Sequence, residues 1–254
     1  MSATFPDLNG KSVFITGGGS GIGAALTDGF MAQGANVGFV QRSDASAFLA
    51  TMEHKHGRRP WFRPCDVSDI DALQSAIADA ATANGAITIL VNNAANDRRH
   101  TTMELTTGDF DALIAINLRP FLFALQSVVP GMRAAGGGAV VNLSSISYMM
   151  GMSEMPVYTA AKSAINALTR GHAREFGPDN IRVNTLSPGM VLTQRQLDDV
   201  VSEKDIENHM HMQCLKQRIS PEDMVGPCLF LASDAARMVT GQALVVDAGV
   251  VVTG

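Results

Sequence analysis

The sequence predicts an α/β protein, with a parallel sheet covered by helices on both faces of a single domain. Three observations predict it. Short apolar runs alternate with longer runs of helical periodicity from Ser12 to Val246. The short runs are apolar almost throughout, as in strands buried on both faces, rather than alternating apolar and polar. No linker, repeat or low-complexity stretch interrupts the 254 residues, a length that suits one large domain.

The elements follow in order. Residues 12–16 (S-V-F-I-T) form an apolar strand that runs into a glycine-rich turn. A helix follows at 22–33, a strand at 36–40, a helix at 45–56 and a third strand at 61–65, closed by Asp66. Residues 70–83 carry apolar side chains at helical spacing, and 89–91 form a buried strand before Asn92-Asn93-Ala94-Ala95. One long helix is expected over 107–134, kinked by Pro120 and fraying at Pro130-Gly131. A fifth strand lies at 139–143. The helix at 156–176 begins on a proline and stops at Gly177-Pro178. A sixth strand (181–186), a looser segment from Val191 to Arg218, a helix (222–232) and a last strand (243–246) complete the chain.

Composition narrows the function. Hydrophobic residues make up 46% and charged residues 17%, which argues against disorder. The net charge of −5 and the lack of any basic run give nucleic acid little to bind. No apolar run approaches the ~18 residues that span a bilayer, so no membrane partner is expected. The first six residues show no basic segment followed by an apolar one. With Cys65, Cys214 and Cys228 odd in number and scattered, a reducing, cytoplasmic setting is expected. The pairs His54/His56 and His209/His211 lack metal-ligand spacing and read as surface histidines; no metal is expected.

Tyr158 and Lys162, in Y-T-A-A-K, carry the most chemistry. Four residues apart on a helix, they share one face. A free tyrosine hydroxyl has a pKa near ~10. A neighbouring ammonium favours the phenolate, and a shift of about three units, worth roughly 4 kcal/mol, would bring it to neutrality. Read alone, the pair is equally a half-buried Tyr beside a solvated Lys. A second signal stands at 17–23, where five of seven residues are glycine and Gly17, Gly21 and Gly23 form G-x-x-x-G-x-G between strand and helix. Missing β-carbons let a pyrophosphate approach the backbone, and the helix N-terminus then stabilises it.

At the end of the second strand, Gln41, Arg42 and Ser43 stand where a carboxylate would bind the 2′-hydroxyl of NAD. Arg42 could pair with a 2′-phosphate instead, which favours NADP; pointing into solvent is its other reading. Asp66 is placed to meet an adenine or to cap a turn. Ser145, 13 positions before Tyr158, could hold a substrate oxygen, although a lone Ser is more often a cap. Asn117, among Ile114, Ile116 and Leu118, is a buried amide that needs partners.

Taken together, T-G-G-G-S-G-I-G, N-N-A-A, Asn117, N-L-S-S, Y-T-A-A-K, S-P-G and V-D-A-G resemble, in order and over essentially the whole chain, the short-chain dehydrogenases/reductases. The resemblance implies a doubly wound, seven-stranded Rossmann-type sheet, a nicotinamide cofactor and a homotetramer. Close helix packing in such an assembly would suit Ala160, Ala161, Ala164 and Ala167. It implies a catalytic set of Asn117, Ser145, Tyr158 and Lys162, with Tyr158 exchanging a proton with the substrate oxygen. Lys162 would hold the nicotinamide ribose and Asn117 would support a proton relay. Cofactor contacts would come from Gly17, Ser20, Gly21, Ile22, Gly23, Arg42, Ser43, Asp66, Val67, Asn93, Ala94, Tyr158, Lys162, Pro188, Gly189, Val191 and Thr193.

N-N-A-A-N-D-R-R-H, S-S-I-S and Q-C-L-K-Q-R-I further resemble bacterial aldose 1-dehydrogenases of the xylose, arabinose and fucose kind. On that likeness the substrate would meet Asn96, Arg99, Ser145, Ser147, Tyr158 and Gln194, with His100 and Glu154 also near the rim. Met149, Met150, Met152, Met155 and Met190 crowd the same region and supply an adaptable apolar wall. A pentose or 6-deoxyhexose, oxidised at C1, satisfies both signals. The alternatives are a carbonyl reductase for an apolar ketone or 3-oxoacyl thioester, and a catalytically idle dinucleotide sensor. The segment from Val191 to Arg218 is a candidate substrate lid.

Overall fold

A computed structural model describes residues 3–199 and 201–252. Seven strands form one parallel sheet in the order β3-β2-β1-β4-β5-β6-β7. They are β1 (Ser12–Thr16), β2 (Asn36–Gln41), β3 (Trp61–Pro64), β4 (Ile89–Asn92), β5 (Gly138–Leu143), β6 (Ile181–Pro188) and β7 (Ala243–Val246). The helices are α1 (Gly21–Ala32), α2 (Ser46–His56), α3 (Ile70–Asn84), α4 (Thr107–Asn117), α5 (Arg119–Ala134), α6 (Pro156–Phe176), α7 (Gln194–Asp199), α8 (Glu203–Met212) and α9 (Val225–Ala232). This is the doubly wound Rossmann-type fold that the sequence predicts.

Both faces of the sheet are buried, and the side-chain alternation of β1 shows how. Val13 and Ile15 pack with Leu26 and Phe30 of α1 and Leu229 of α9. Phe14 points the other way, into a second layer with Leu73 and Ile77 of α3 and Leu125, Val128 and Met132 of α5. The order reverses between β1 and β4, which pair directly through Val13↔Ile89 to Thr16↔Asn92. The carboxyl ends of these two strands therefore open on a crevice, the place where such sheets bind ligands.

Two expectations need correction. The helix over 107–134 is two helices: Leu118, at φ −131° and ψ −50°, separates α4 from α5. Pro120 lacks an N–H and its ring would strike the carbonyl of Ile116, so the first helix ends before it and Pro120 sits in the first turn of the second. His209 is buried, not a surface residue, and His56 is paired with Asp28 at 2.7 Å. The outer face of α6 does carry small residues, with Ala160 and Ala167 exposed while Ala161 packs inward.

The loose segment after β6 has a closed neck. Val191 bridges Ile219, and the Leu192 N–H donates to the Ile219 carbonyl at 2.9 Å. Between them lie α7 and α8. Ser202 and Asp205 form a capping box at the start of α8. The Lys216 ammonium donates to the carbonyls of Met210, His211 and Gln213 at its end.

Candidate active site

β1 delivers the chain into residues 17–23, a turn held by its neighbours. Gly17 and Gly21 have φ of +71° and +51°. A Cβ on Gly23 would lie 1.9 Å from the Gly17 carbonyl oxygen, so only glycine lets α1 start this close to the strand. The Thr27 hydroxyl donates to Gly18 O at 2.7 Å, and the Asn93 amide donates to Thr16 O and Gly17 O at 3.0 Å each. Ser20, the N-cap of α1, accepts no capping hydrogen bond among the described residues. The first N–H groups of α1 therefore remain available to an anion.

At the end of β2, Gln41 donates to Ser43 O, Ser43 Oγ and Asp44 O at 3.2 Å each. Its Oε1 is buried with no partner among the described residues and would be 2.4 Å from a Cβ on Gly19. An orphaned acceptor beside a glycine cradle suits a ribose hydroxyl, so these residues fit a bound dinucleotide. Arg42 is 68% exposed and stands 3.8 Å from Asp66, whose own Oδ1 accepts from the Ser68 N–H and hydroxyl.

This groove and the Tyr158 region form one cavity of about 1410 Å³. Each predicted cofactor contact from Gly17 to Thr193, and each predicted substrate contact, lines it. The structure adds residues that the sequence reading did not assign as contacts, among them Gln41, Asp97, Arg195, Gln196, Asp205, Asn208, His209 and Met212. Of the methionine cluster, Met150, Met152, Met155 and Met190 reach the wall. Met149 is outside it. His100 is also off the wall; its Nδ1 lies 3.0 Å from Arg98 O, and its Nε2 accepts from the Val157 N–H at 3.4 Å, in the first turn of α6. The Ser147 hydroxyl is buried with no partner among the described residues, and the residue lines the cavity.

Lys162 is the most deeply buried charge-bearing group here. Its Nζ donates to Leu143 O at 2.7 Å and stands 5.4 Å from the centroid of the Tyr158 ring. The helix is pinned to β5 by Ser144, whose hydroxyl donates to Lys162 O, and by the Asn166 amide, which donates to the same carbonyl and to Ser144 Oγ. Burial pushes the Lys162 ammonium down to about 7. The Tyr158 hydroxyl is pushed well above its usual range, first by burial and then by the nearby Asp97 carboxylate. Ser145, Arg195 and Arg99 pull it the other way. In this arrangement Lys162 therefore does not draw Tyr158 to neutrality. An ammonium that is itself half-neutral near pH 7 is a weak partner for a phenolate, and burial dominates.

Asn117 is buried and does not line the cavity. Its amide is engaged with the main chain of Asn96, which does. Asp97 follows, with its carboxylate on Arg195 and Gln196 of α7. Arg99 pairs with Glu154. Asp97 lies inside the N-N-A-A-N-D-R-R-H run, but nothing local marks its pairing with Arg195 and Gln196, which directly follow Gln194.

Residues 17–251 match the family model described as enoyl-(acyl carrier protein) reductase. The chain is 43% identical over 252 residues to the protein named probable galactose dehydrogenase GalD of Rhizobium meliloti (strain 1021), covering 98% of each. It is also 43% identical over 249 residues to the D-xylose 1-dehydrogenase of Caulobacter vibrioides (strain NA1000 / CB15N), again covering 98% of each. A solved 3-oxoacyl (acyl-carrier-protein) reductase from Agrobacterium tumefaciens C58, with NADP bound, superposes with a TM-score of 0.88 at 32% identity and 96% coverage of both chains. With the glycine cradle at the β1/β4 crevice and Tyr158 over Lys162 in the same cavity, these likenesses make this chain an oxidoreductase with a nicotinamide dinucleotide cofactor, a member of the short-chain dehydrogenase/reductase family.

Proposed function

We propose that the protein oxidises an aldose, a pentose or a 6-deoxyhexose, at C1 to its lactone, and prefers NADP to NAD. The observation that carries this reading is the mixed lining of the substrate end. Met150, Met152, Met155, Met190 and Met212 line it together with Asn96, Arg99, Ser147 and Gln194. A sugar ring needs several fixed donors and acceptors, and the far end of these two sugar types lacks a hydroxyl to satisfy. The xylose named for one relative is a pentose, and the galactose named for the other, which carries a 6-hydroxyl, supports an aldose but not the narrower choice.

When bound, the oxidised nicotinamide supplies the acceptor for the hydride that leaves C1. The chain does the rest. Ser145 holds the C1 oxygen; Tyr158 in its phenolate form, the minor form at neutral pH given its burial, takes the hydroxyl proton, and the C1–O bond becomes the lactone carbonyl. Lys162 anchors the ribose from beneath Tyr158. Asn117 keeps the Asn96 main chain in place behind the substrate. The N–H groups of α1 meet the pyrophosphate, and Arg42 with Ser43 meets the 2′-phosphate. On this reading the segment from Val191 to Arg218 closes over the substrate, and the enzyme works as a cytoplasmic homotetramer.

A second reading, reduction of an apolar ketone or 3-oxoacyl thioester, is favoured by the five methionines and by the likeness to the 3-oxoacyl reductase structure. A panel of aldoses with NADP, and with NAD in parallel, separates the two. Formation of reduced cofactor on a few related sugars is expected. Silence on all sugars with turnover of 3-oxoacyl thioesters would establish the second reading instead. Tyr158→Phe should lose about 10²–10⁴-fold in turnover and still bind cofactor; unchanged function would mean a dinucleotide sensor.

A further inference from the structure

Asp97 is the side chain through which α7 meets the wall of the active site. Its Oδ1 accepts from Arg195 Nη2 at 2.6 Å and its Oδ2 from Gln196 Nε2 at 2.8 Å. The two donors lie 98 and 99 residues further along the chain, inside the segment whose neck is the Val191–Ile219 bridge. The Asp97 side chain is 18% exposed, and it lines the same cavity as Tyr158, Arg195 and Gln196. Both carboxylate oxygens are thus spent on α7, at the wall of the cavity that Tyr158 also lines.

The charged side chains that line the cavity with Tyr158 come from several elements, and Asp97, Arg195 and Arg99 are those that act on its hydroxyl. Lys162 is on the same helix as Tyr158, Asp97 and Arg99 are on the loop after β4, and Glu154 precedes α6. Arg195 is on α7, and Asp205 and His209 are on α8. Arg99 is committed to Glu154 at 2.5 Å. Arg195 is the cation that offsets Asp97, and α7 carries it.

We propose that Asp97 and Arg195 are a positioning pair that makes proton transfer at Tyr158 depend on α7 being docked. With α7 docked, the carboxylate beside the tyrosine is neutralised by the guanidinium. With α7 away, Tyr158 faces a bare negative charge that opposes its phenolate. The opposite pulls of Asp97 and Arg195 on the Tyr158 hydroxyl agree with this. The pair thereby ties closure of the substrate end to the chemistry, so that the base is competent only over an enclosed substrate. The inference rests on Tyr158 as the acid-base group but not on the identity of the substrate.

Two readouts test it. The first is the pH dependence of kcat/KM for the wild type, Arg195→Ala and Asp97→Asn, on whichever substrate the enzyme turns over. Arg195→Ala should move the ionisation midpoint upward by about one pH unit and cut kcat near neutrality about tenfold. Asp97→Asn, nearly the same shape without the charge, should move it downward. Arg195→Lys should restore much of the shift. The second readout needs no substrate. The chain has two tyrosines, so in a Tyr148→Phe background the near-ultraviolet phenolate band belongs to Tyr158 alone. Titrated in the NADP complex, it should shift in the same directions, so a wrong guess about the sugar leaves the result readable. A raised KM with unmoved midpoints in both readouts would make the pair a structural tie only and overturn the proposal.

Discussion

Asn117 and Asn96 hold each other by two hydrogen bonds: the Asn96 N–H donates to Asn117 Oδ1 at 2.8 Å, and Asn117 Nδ2 donates to the Asn96 carbonyl at 2.9 Å. The side chain at the end of α4 thus does for one loop residue what a neighbouring strand would do. Asn117 acts on the cavity wall without being part of it.

Asn117→Ala should leave the half-buried N–H and C=O of Asn96 without their side-chain partner. The expected cost is about 2 kcal/mol of stability, read as a lower denaturant midpoint with an unchanged slope. Because Asn96 is followed by Asp97, turnover should fall more than substrate affinity. A variant with unchanged stability would show that the loop holds itself.

On the proposed function, Arg42 is the group on which the cofactor preference turns. It is 68% exposed, and its 3.8 Å approach to Asp66 is too loose to hold it against a phosphate. Arg42→Asp should raise the KM for NADP at least about tenfold, the worth of one lost charge-assisted contact, and change that for NAD little. Initial rates with both cofactors decide it. Equal losses would remove the 2′-phosphate assignment and leave the orphaned Gln41 Oε1 as the reader of the adenosine ribose.

Much of this was legible in the sequence because the signals are local. The sequence places α6 and β7 to the residue: a proline opens α6, Gly177-Pro178 closes it, and the last strand is a short apolar run before Asp247. The glycine turn and the Tyr158–Lys162 spacing are equally local, since one sets backbone freedom and the other helix periodicity. What the sequence does not show are relationships between distant residues. Pro120 marks the place, but proline alone does not say whether the helix kinks or, as the Leu118 backbone shows, ends and restarts. Asp97 gains meaning only when α7 arrives about a hundred positions later. The burial of His209 follows from the same fold-back. The pKa of Tyr158 is hidden from the sequence for a related reason: spacing reveals the nearby lysine but not the burial that dominates both groups.

Lys162 gives the sharpest test of that burial. Its ammonium is driven from the ordinary lysine range to about 7, because the folded protein disfavours the charged form. Between about pH 7 and the unfolded lysine value near ~10.4, the unfolded chain binds more protons at this position than the native one. Stability should therefore rise with pH across that window through this group, and its penalty should be fully present below it. Lys162→Met removes the titration while keeping an unbranched chain beside Phe121 and Leu143. The variant should be more stable than the wild type near pH 7, on the order of a few kcal/mol, with the advantage shrinking toward pH 10. It should also lose turnover. Thermal melts of both proteins from pH 6 to about pH 10 measure the difference directly, cancelling other titrating groups common to both. A difference that is flat with pH would mean that Lys162 keeps its charge in the folded protein, and that the Leu143 carbonyl with the rings of Phe121 and Tyr158 is enough to hold an ammonium there.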